Sequence, residues 1–271
     1  MSRSVDFLSR ASTSSSSGGP SRLPPNSSIL ITDSVQSPAV FLLTLLIARA
    51  LRKQTPPPGG DIKGKGKAKV VLVGVSEVES EYTNILKKQS VQLGTEKSLG
   101  RFEFIDAASA DLAATYAAVV ESLSRDAAGS GSLVVVDDLT ALSWSGHDLT
   151  KIVKFHLALQ TLVLSTRSTL VTVVHADQVS PHPVVRDESD QYLFRKVLAS
   201  SDYWFELKSL VAQARGELSI HPGPALSPSS ASRVEDPDDE RLQTRVGKDA
   251  LEYRLEENGA VFEVKGLGRF I

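Results

Sequence analysis

Short strand-like runs alternate with longer runs of helical periodicity along most of the chain, and this constrains the fold more than any other feature. Ser28–Thr32, Lys69–Val75, Phe102–Ile105, the run Ser132-Leu133-Val134-Val135-Val136-Asp137-Asp138 and Thr169–His175 read as strands. Between them lie segments whose apolar residues recur at spacings of three and four. Examples are Leu112, Tyr116, Val119, Val120 and Leu123, and then Leu149, Ile152, Val153, Leu157 and Leu164 over about 148–166. Strands joined through helices cannot pair as hairpins, so the expected product is a doubly wound, mainly parallel sheet covered by helices.

The punctuation agrees with that reading. Ser37 is placed to cap the helix that follows the first strand, with Pro38 in its first turn, where a missing N–H costs nothing. This helix is apolar almost all round, as a helix covered on both sides must be, and Pro56-Pro57-Pro58-Gly59-Gly60 stops it. Glu77–Gln89 forms a short helix with early carboxylates, and Gly129-Ser130-Gly131 turns the chain into the fourth strand. After a polar loop over 176–188, a helix around Gln191–Ala199 leads to a strand at Tyr203–Leu207, where the sheet edge is expected to turn antiparallel, with a further strand at Gly216–Ile220. Leu251–Glu256 and Ala260–Lys265 flank Glu257-Asn258-Gly259, and Asn-Gly is a strong signal for a two-residue hairpin loop.

The expected organisation is a Ser/Pro-rich disordered tail over 1–26 and a single domain over 27–271, with flexible inserts near 54–68 and 221–246. The first 26 residues lack the continuous apolar segment of a signal peptide. The most apolar stretch, Pro38–Leu51, is shorter than the roughly 20 residues a membrane span needs, so no membrane partner is expected. A net charge of −2 argues against a uniformly basic surface, which leaves nucleic-acid contact to a local patch or to partner subunits. The chain has no cysteine, hence no disulfide framework, thiolate zinc site or cysteine nucleophile, and a cytoplasmic or nuclear setting is expected.

Asp137 and Asp138 close an apolar strand, which is where a nucleotide-hydrolysing domain holds its magnesium. The partner element is missing. The first strand-to-helix turn, Thr32-Asp33-Ser34-Val35-Gln36-Ser37-Pro38-Ala39, has neither the glycines that bare amides to phosphate nor the lysine that meets the terminal phosphates. Gly59-Gly60-Asp61-Ile62-Lys63-Gly64-Lys65 matches G-x-x-x-x-G-K, but Gly66 replaces the magnesium-binding hydroxyl and the segment precedes a strand instead of opening a helix. Without a phosphate cradle, the expected role of the pair is to cap the next turn as a vestige of a magnesium site, with no catalytic residue and no cofactor.

Other candidates carry less chemistry. Glu77, Glu79 and Glu81 follow the second strand, where a water-activating carboxylate would lie, but a charged first helical turn accounts for them. His175 ends the fifth strand with Gln178 beyond it, near where a terminal phosphate would be sensed. His147, His156, His182 and His221 show no zinc spacing, so no metal is expected. There is no G-x-S-x-G elbow at a strand-to-helix turn. Lys63, Lys65, Lys67 and Lys69 read as a solvated cationic arm. The loops Ser143–His147 and Gln178–Asp187, with Arg186, Arg195, Lys196 and His147, are the candidates for contact with RNA or with a neighbouring subunit, although no aromatic stacking platform accompanies them.

Taken together these features resemble the RecA-like Elongator complex protein 6 family, of fungal type. The resemblance rests on Ser28–Thr32 running into a helix without a phosphate loop, on Leu133–Leu142 with its Val-Val-Val-Asp-Asp-Leu-Thr-Ala-Leu core, on the helix and strand through His175, and on the closing hairpin near Lys265-Gly266-Leu267. It spans about Ser28–Leu207 plus the last twenty residues, and subunit five of the same complex is a near relative. It implies a non-catalytic member of a hetero-hexameric ring with subunits four and five, which binds tRNA and supports wobble-uridine modification by the catalytic Elongator subunits. Two alternatives stay open: an ATPase of the recombinase type with a degenerate phosphate loop, and a DNA-repair paralogue.

Overall fold

A computed structural model describes residues 23, 26–52, 69–124, 131–176, 188–210, 214–226, 250–257 and 259–264. In chain order the elements are β1 (Ser28–Asp33), α1 (Val40–Leu51), β2 (Val70–Gly74), α2 (Glu79–Lys88), α3 (Leu93–Ser98), β3 (Phe102–Asp106), α4 (Leu112–Ser124) and β4 (Leu133–Val136). They continue as α5 (Leu139–Trp144), α6 (Leu149–Ser165), β5 (Thr169–His175), α7 (Glu188–Ser200), β6 (Tyr203–Ser209), β7 (Arg215–Pro222), β8 (Leu251–Glu256) and β9 (Gly259–Val264).

The nine strands form one sheet in the order β3-β2-β4-β5-β1-β6-β7-β8-β9. The first six in this order pair in parallel, and β7, β8 and β9 are antiparallel. The change of direction therefore comes one strand later than the sequence suggested. β6 runs parallel to β1, because α7 carries the chain back to the amino edge before β6 begins.

Two cores explain why these residues form these strands. On one face Leu72, Val135, Val171 and Ile31 pack with Leu42, Leu46 and Ile47 of α1 and with Tyr82 and Leu86 of α2. On the other face Val71, Val134, Leu170 and Leu30 pack with Val119 of α4, Leu142 of α5, Ile152 and Leu159 of α6, and Val197 of α7. Both parities of β2 and β4 are buried, so their runs are continuously apolar; each fully buried branched side chain contributes roughly 1.5–3 kcal/mol. Beyond β1 this changes. Tyr203, Phe205, Leu218, Ile220, Leu251, Tyr253 and Phe262 all join the α1 core. The intervening residues Glu206, Glu217, Ser219, Glu252 and Arg254 are only half-buried on the opposite face, which gives the alternating strand pattern.

Several local expectations are refined. The short helices α3 and α5 were not legible as separate elements. The strand at 216–220 extends from Arg215 to Pro222, so His221 belongs to it and stacks on Trp204 with ring centroids 4.7 Å apart, instead of opening a flexible insert. Glu256 pairs with Gly259, which has φ 140°, a conformation open to glycine, while Asn258 lies outside the described residues. Lys69 is not part of a solvated arm. It is buried, with Nζ donating to the Ser122 carbonyl at 2.6 Å and lying 3.3 Å from the Glu103 carboxylate. The tail over 1–22, the insert over 54–68 with its G-x-x-x-x-G-K match, the segment 227–249, and Lys265 to Leu267 lie outside the described residues. Among the described residues no helix is long and apolar enough to cross a membrane.

Candidate functional site at the carboxyl edge of the sheet

The acidic residues singled out in the sequence lie where β1, β2, β4 and β5 end. β4 ends beside β2, with Val136 opposite Val73, so Asp137 arrives level with the β2–α2 connection. Its Oδ1 accepts from the amides of Val75 at 2.7 Å and Ser76 at 3.3 Å, and its Oδ2 accepts from the Glu77 amide at 3.2 Å and the Tyr82 hydroxyl at 3.1 Å. Burial pushes the Asp137 carboxyl up from the usual carboxylate range, while these four donors pull it back. Burial and the Asp137 charge likewise push the Tyr82 hydroxyl up, so it stays a donor at any ordinary pH.

Asp138 turns to its own helix. Its Oδ1 accepts from the Thr140 amide at 2.9 Å and the Ala141 amide at 3.2 Å, capping α5. Burial raises its carboxyl to about 6, helped by the charges of Asp33 and Asp137 and opposed by the Ala141 and Thr140 amides.

Asp33 and His175 are register partners at the ends of β1 and β5. The Asp33 Oδ1 lies 2.8 Å from His175 Nδ1, and Asp33 Oδ2 accepts from the Ala39 amide at 2.8 Å, at the mouth of α1. The His175 amide donates to Thr140 Oγ1 at 2.8 Å and the Ala176 amide to the Asp33 carbonyl at 2.8 Å. This overturns the expectation for Ser37. No side chain of its own neighbourhood caps α1 in the ordinary way; Asp33 reaches six residues ahead to do so, and Ser37 Oγ instead meets the Tyr253 hydroxyl of β8. Tyr253 is held in turn by Phe41, 4.6 Å between ring centroids, and by Gly216, where any Cβ would collide with the tyrosine ring.

The other candidates are scattered. Glu79 pairs with Lys97 at 2.7 Å on the surface, while Glu77 and Glu81 are exposed. Arg195 and Lys196 lie on the exposed side of α7, with the Lys196 ammonium 5.4 Å from the Tyr192 ring centre, and His147 follows α5 with its amide on the Leu142 carbonyl. Among the described residues no hydrogen bond or ion pair joins Arg195, Lys196 or His147 to the aspartates. Arg186 and the loop Gln178–Asp187 lie outside the described residues. No group of three or more His, Asp or Glu side chains among the described residues is placed to hold a metal ion.

The reading that Ser143–His147 lacks an aromatic platform is corrected by Trp144 within it, which is 59% exposed at the end of α5 and stands edge-on to His175 with ring centroids 5.6 Å apart. The available signal was a tryptophan set among serines and glycine, Ser143-Trp144-Ser145-Gly146. His156, weighed in the sequence only as a histidine without zinc spacing, is fully buried between Thr172 Oγ1 at 3.4 Å and Ser200 Oγ at 3.3 Å, and burial lowers its imidazole to about 4.

Sheet order, the two helix layers and a carboxyl edge lined by strand-terminal acids define a RecA/KaiC-like α/β protein. The fold is similar to that of a KaiC-like protein, PH0186, from the hyperthermophilic archaeon Pyrococcus horikoshii, with a TM-score of 0.55, 12% identity, and coverage of 89% of this chain and 90% of that one. At that identity the likeness shows the fold. The family model described as Elongator subunit Iki1 matches residues 23–210, more than half of the chain, and the protein belongs to that family. A comparison with curated protein sequences gave no match.

Proposed function

We propose that this chain is a non-catalytic RecA-like subunit of the Elongator accessory ring, in the position of subunit six or of its near relative subunit five, which supports tRNA binding and wobble-uridine modification in cytoplasm and nucleus. The family match over 23–210 supports membership of Elongator. The observation that carries the non-catalytic reading is the state of the carboxyl edge: both oxygens of Asp33 and of Asp137, and one of Asp138, bind the chain's own amides, Tyr82 and His175. An enzyme would turn such groups toward magnesium and phosphate, since magnesium there is held jointly by carboxylate and substrate oxygens.

Coexpression of the full chain with the remaining accessory subunits, followed by native mass measurement, tests the assignment. A hetero-hexamer that incorporates the chain beside subunits four and five places it at position six, and one formed beside four and six places it at position five. A chain that stays alone while the others assemble removes it from the ring. Magnesium-dependent ATP turnover abolished by Asp137→Asn would establish the enzyme instead, and preference for single-stranded DNA over tRNA in a salt titration would establish the repair paralogue. For the RNA role, neutralising Arg195 and Lys196 is expected to flatten the salt dependence of tRNA binding by the assembled ring.

A further inference from the structure

The mouth of α1 is where a phosphate binds in proteins of this architecture, because unpaired amides and the positive end of the helix dipole converge there. α1 has twelve residues, enough for a full dipole, and its mouth is already occupied by an anion. The Asp33 carboxylate sits between the Ala39 amide, 2.8 Å from one oxygen, and the His175 imidazole, 2.8 Å from the other, with only 12% of the Asp33 side chain and 15% of the His175 side chain exposed. The connection that carries it is closed on itself and tied down. Ser34 and Ser37 pair as a β-bridge, their backbone hydrogen bonds measuring 2.9 and 3.3 Å, and Ser37 Oγ is bound to Tyr253.

We infer that Asp33 is a built-in replacement for a bound phosphate: its carboxylate fills the anion position at the α1 mouth and fastens α1, β1 and β5 together without a nucleotide. The arrangement supplies what an external phosphate would, an acceptor for the Ala39 amide at the helix mouth and for the imidazole at the end of β5, but it is covalently attached and cannot be released.

The test is to empty the position and offer an anion back. The melting temperatures of the full wild-type chain, Asp33→Ala and Asp33→Asn are followed in chloride and in millimolar inorganic phosphate at matched ionic strength. The wild type is expected to respond to phosphate only through the general stabilisation that excluded salts give. Asp33→Ala should melt lower in chloride and recover about half of that loss, saturably, in phosphate, because a ligand that binds only the folded state raises its apparent stability. Asp33→Asn fills the space without the charge and should not recover. An alanine variant as stable as wild type, a phosphate response equal to that of wild type, or equal recovery of the asparagine variant would each overturn the inference. If the alanine variant does not fold in chloride, phosphate must restore its circular dichroism, or that of Asp33→Ser; failure of both to fold in phosphate overturns it as well.

Discussion

The carboxyl edge holds two groups of acids that are held in different ways. At the end of β1, Asp33 divides its oxygens between a helix-mouth amide and an imidazole across the strand pair. At the end of β4, Asp137 and Asp138 face amides and a phenol, and among the described residues no cation is a leading contributor to either. The contrast separates two uses of a buried carboxylate. The β1 group shares its two oxygens between an amide and an imidazole and so binds two strands to a helix. The β4 pair satisfies backbone donors from a buried position, and that burial raises both carboxyls above the ordinary range and leaves the pair sensitive to pH.

The largest expected effect on this comparison comes from Asp137→Ala. It strands the buried Val75 amide and Tyr82 hydroxyl, while water can reach the Ser76 and Glu77 amides, and with roughly 1–3 kcal/mol per buried orphan a loss of about 3–5 kcal/mol is expected in urea unfolding. A loss below about 1 kcal/mol would mean that the β2–α2 connection finds other acceptors and that Asp137 does not hold the edge.

Next comes acid unfolding through His156, under β5. Its imidazole titrates near 4 in the fold against an ordinary 6.5, so folding favours the neutral ring. Stability from this group is complete above about 6.5 and is lost as the pH falls from there through 4, by about 3 kcal/mol in all. His156→Gln should flatten the pH dependence in that window even though it lowers stability at neutral pH; an unchanged slope would rule the histidine out as its source.

Asp138 works in the opposite direction. With a folded value near 6 against 3.8, the native state prefers the protonated carboxyl. The penalty is present above about 6 and fades as the pH falls toward 4. Asp138→Asn keeps an acceptor oxygen for the Thr140 and Ala141 amides without the charge, so a gain of about 1–2 kcal/mol is expected at mildly alkaline pH and little difference near pH 4. Destabilisation at both pH values would show that the charge itself is needed for the cap. The smallest effect belongs to the surface ion pair of Glu79 and Lys97, where Glu79→Ala should shift stability by no more than about 0.5 kcal/mol.

Much of this edge was legible because part of its chemistry is local. Asp138 caps residues two and three places ahead, and an acid before Leu139-Thr140-Ala141 announces that role by spacing alone. Asp137 makes its bonds 55 to 62 residues away, and Asp33 meets His175 across 142. Neither partner could be read from spacing. Ser37 misled for the same reason: a serine before Pro38 satisfies every local rule for a cap, yet tertiary packing brings Tyr253 within its reach and gives the helix mouth to Asp33.

Hydrophobic periodicity by itself determined the layered α/β architecture, the parallel core strands and the closing hairpin, since the apolar pattern of a strand or helix reports directly which of its faces must leave water. Only the tertiary structure decided what each carboxylate at the sheet edge touches. Strand order and register bring β2 beside β4 and β5 beside β1, and a hydrogen bond depends on distances of a few tenths of an ångström that no pattern of side-chain types encodes.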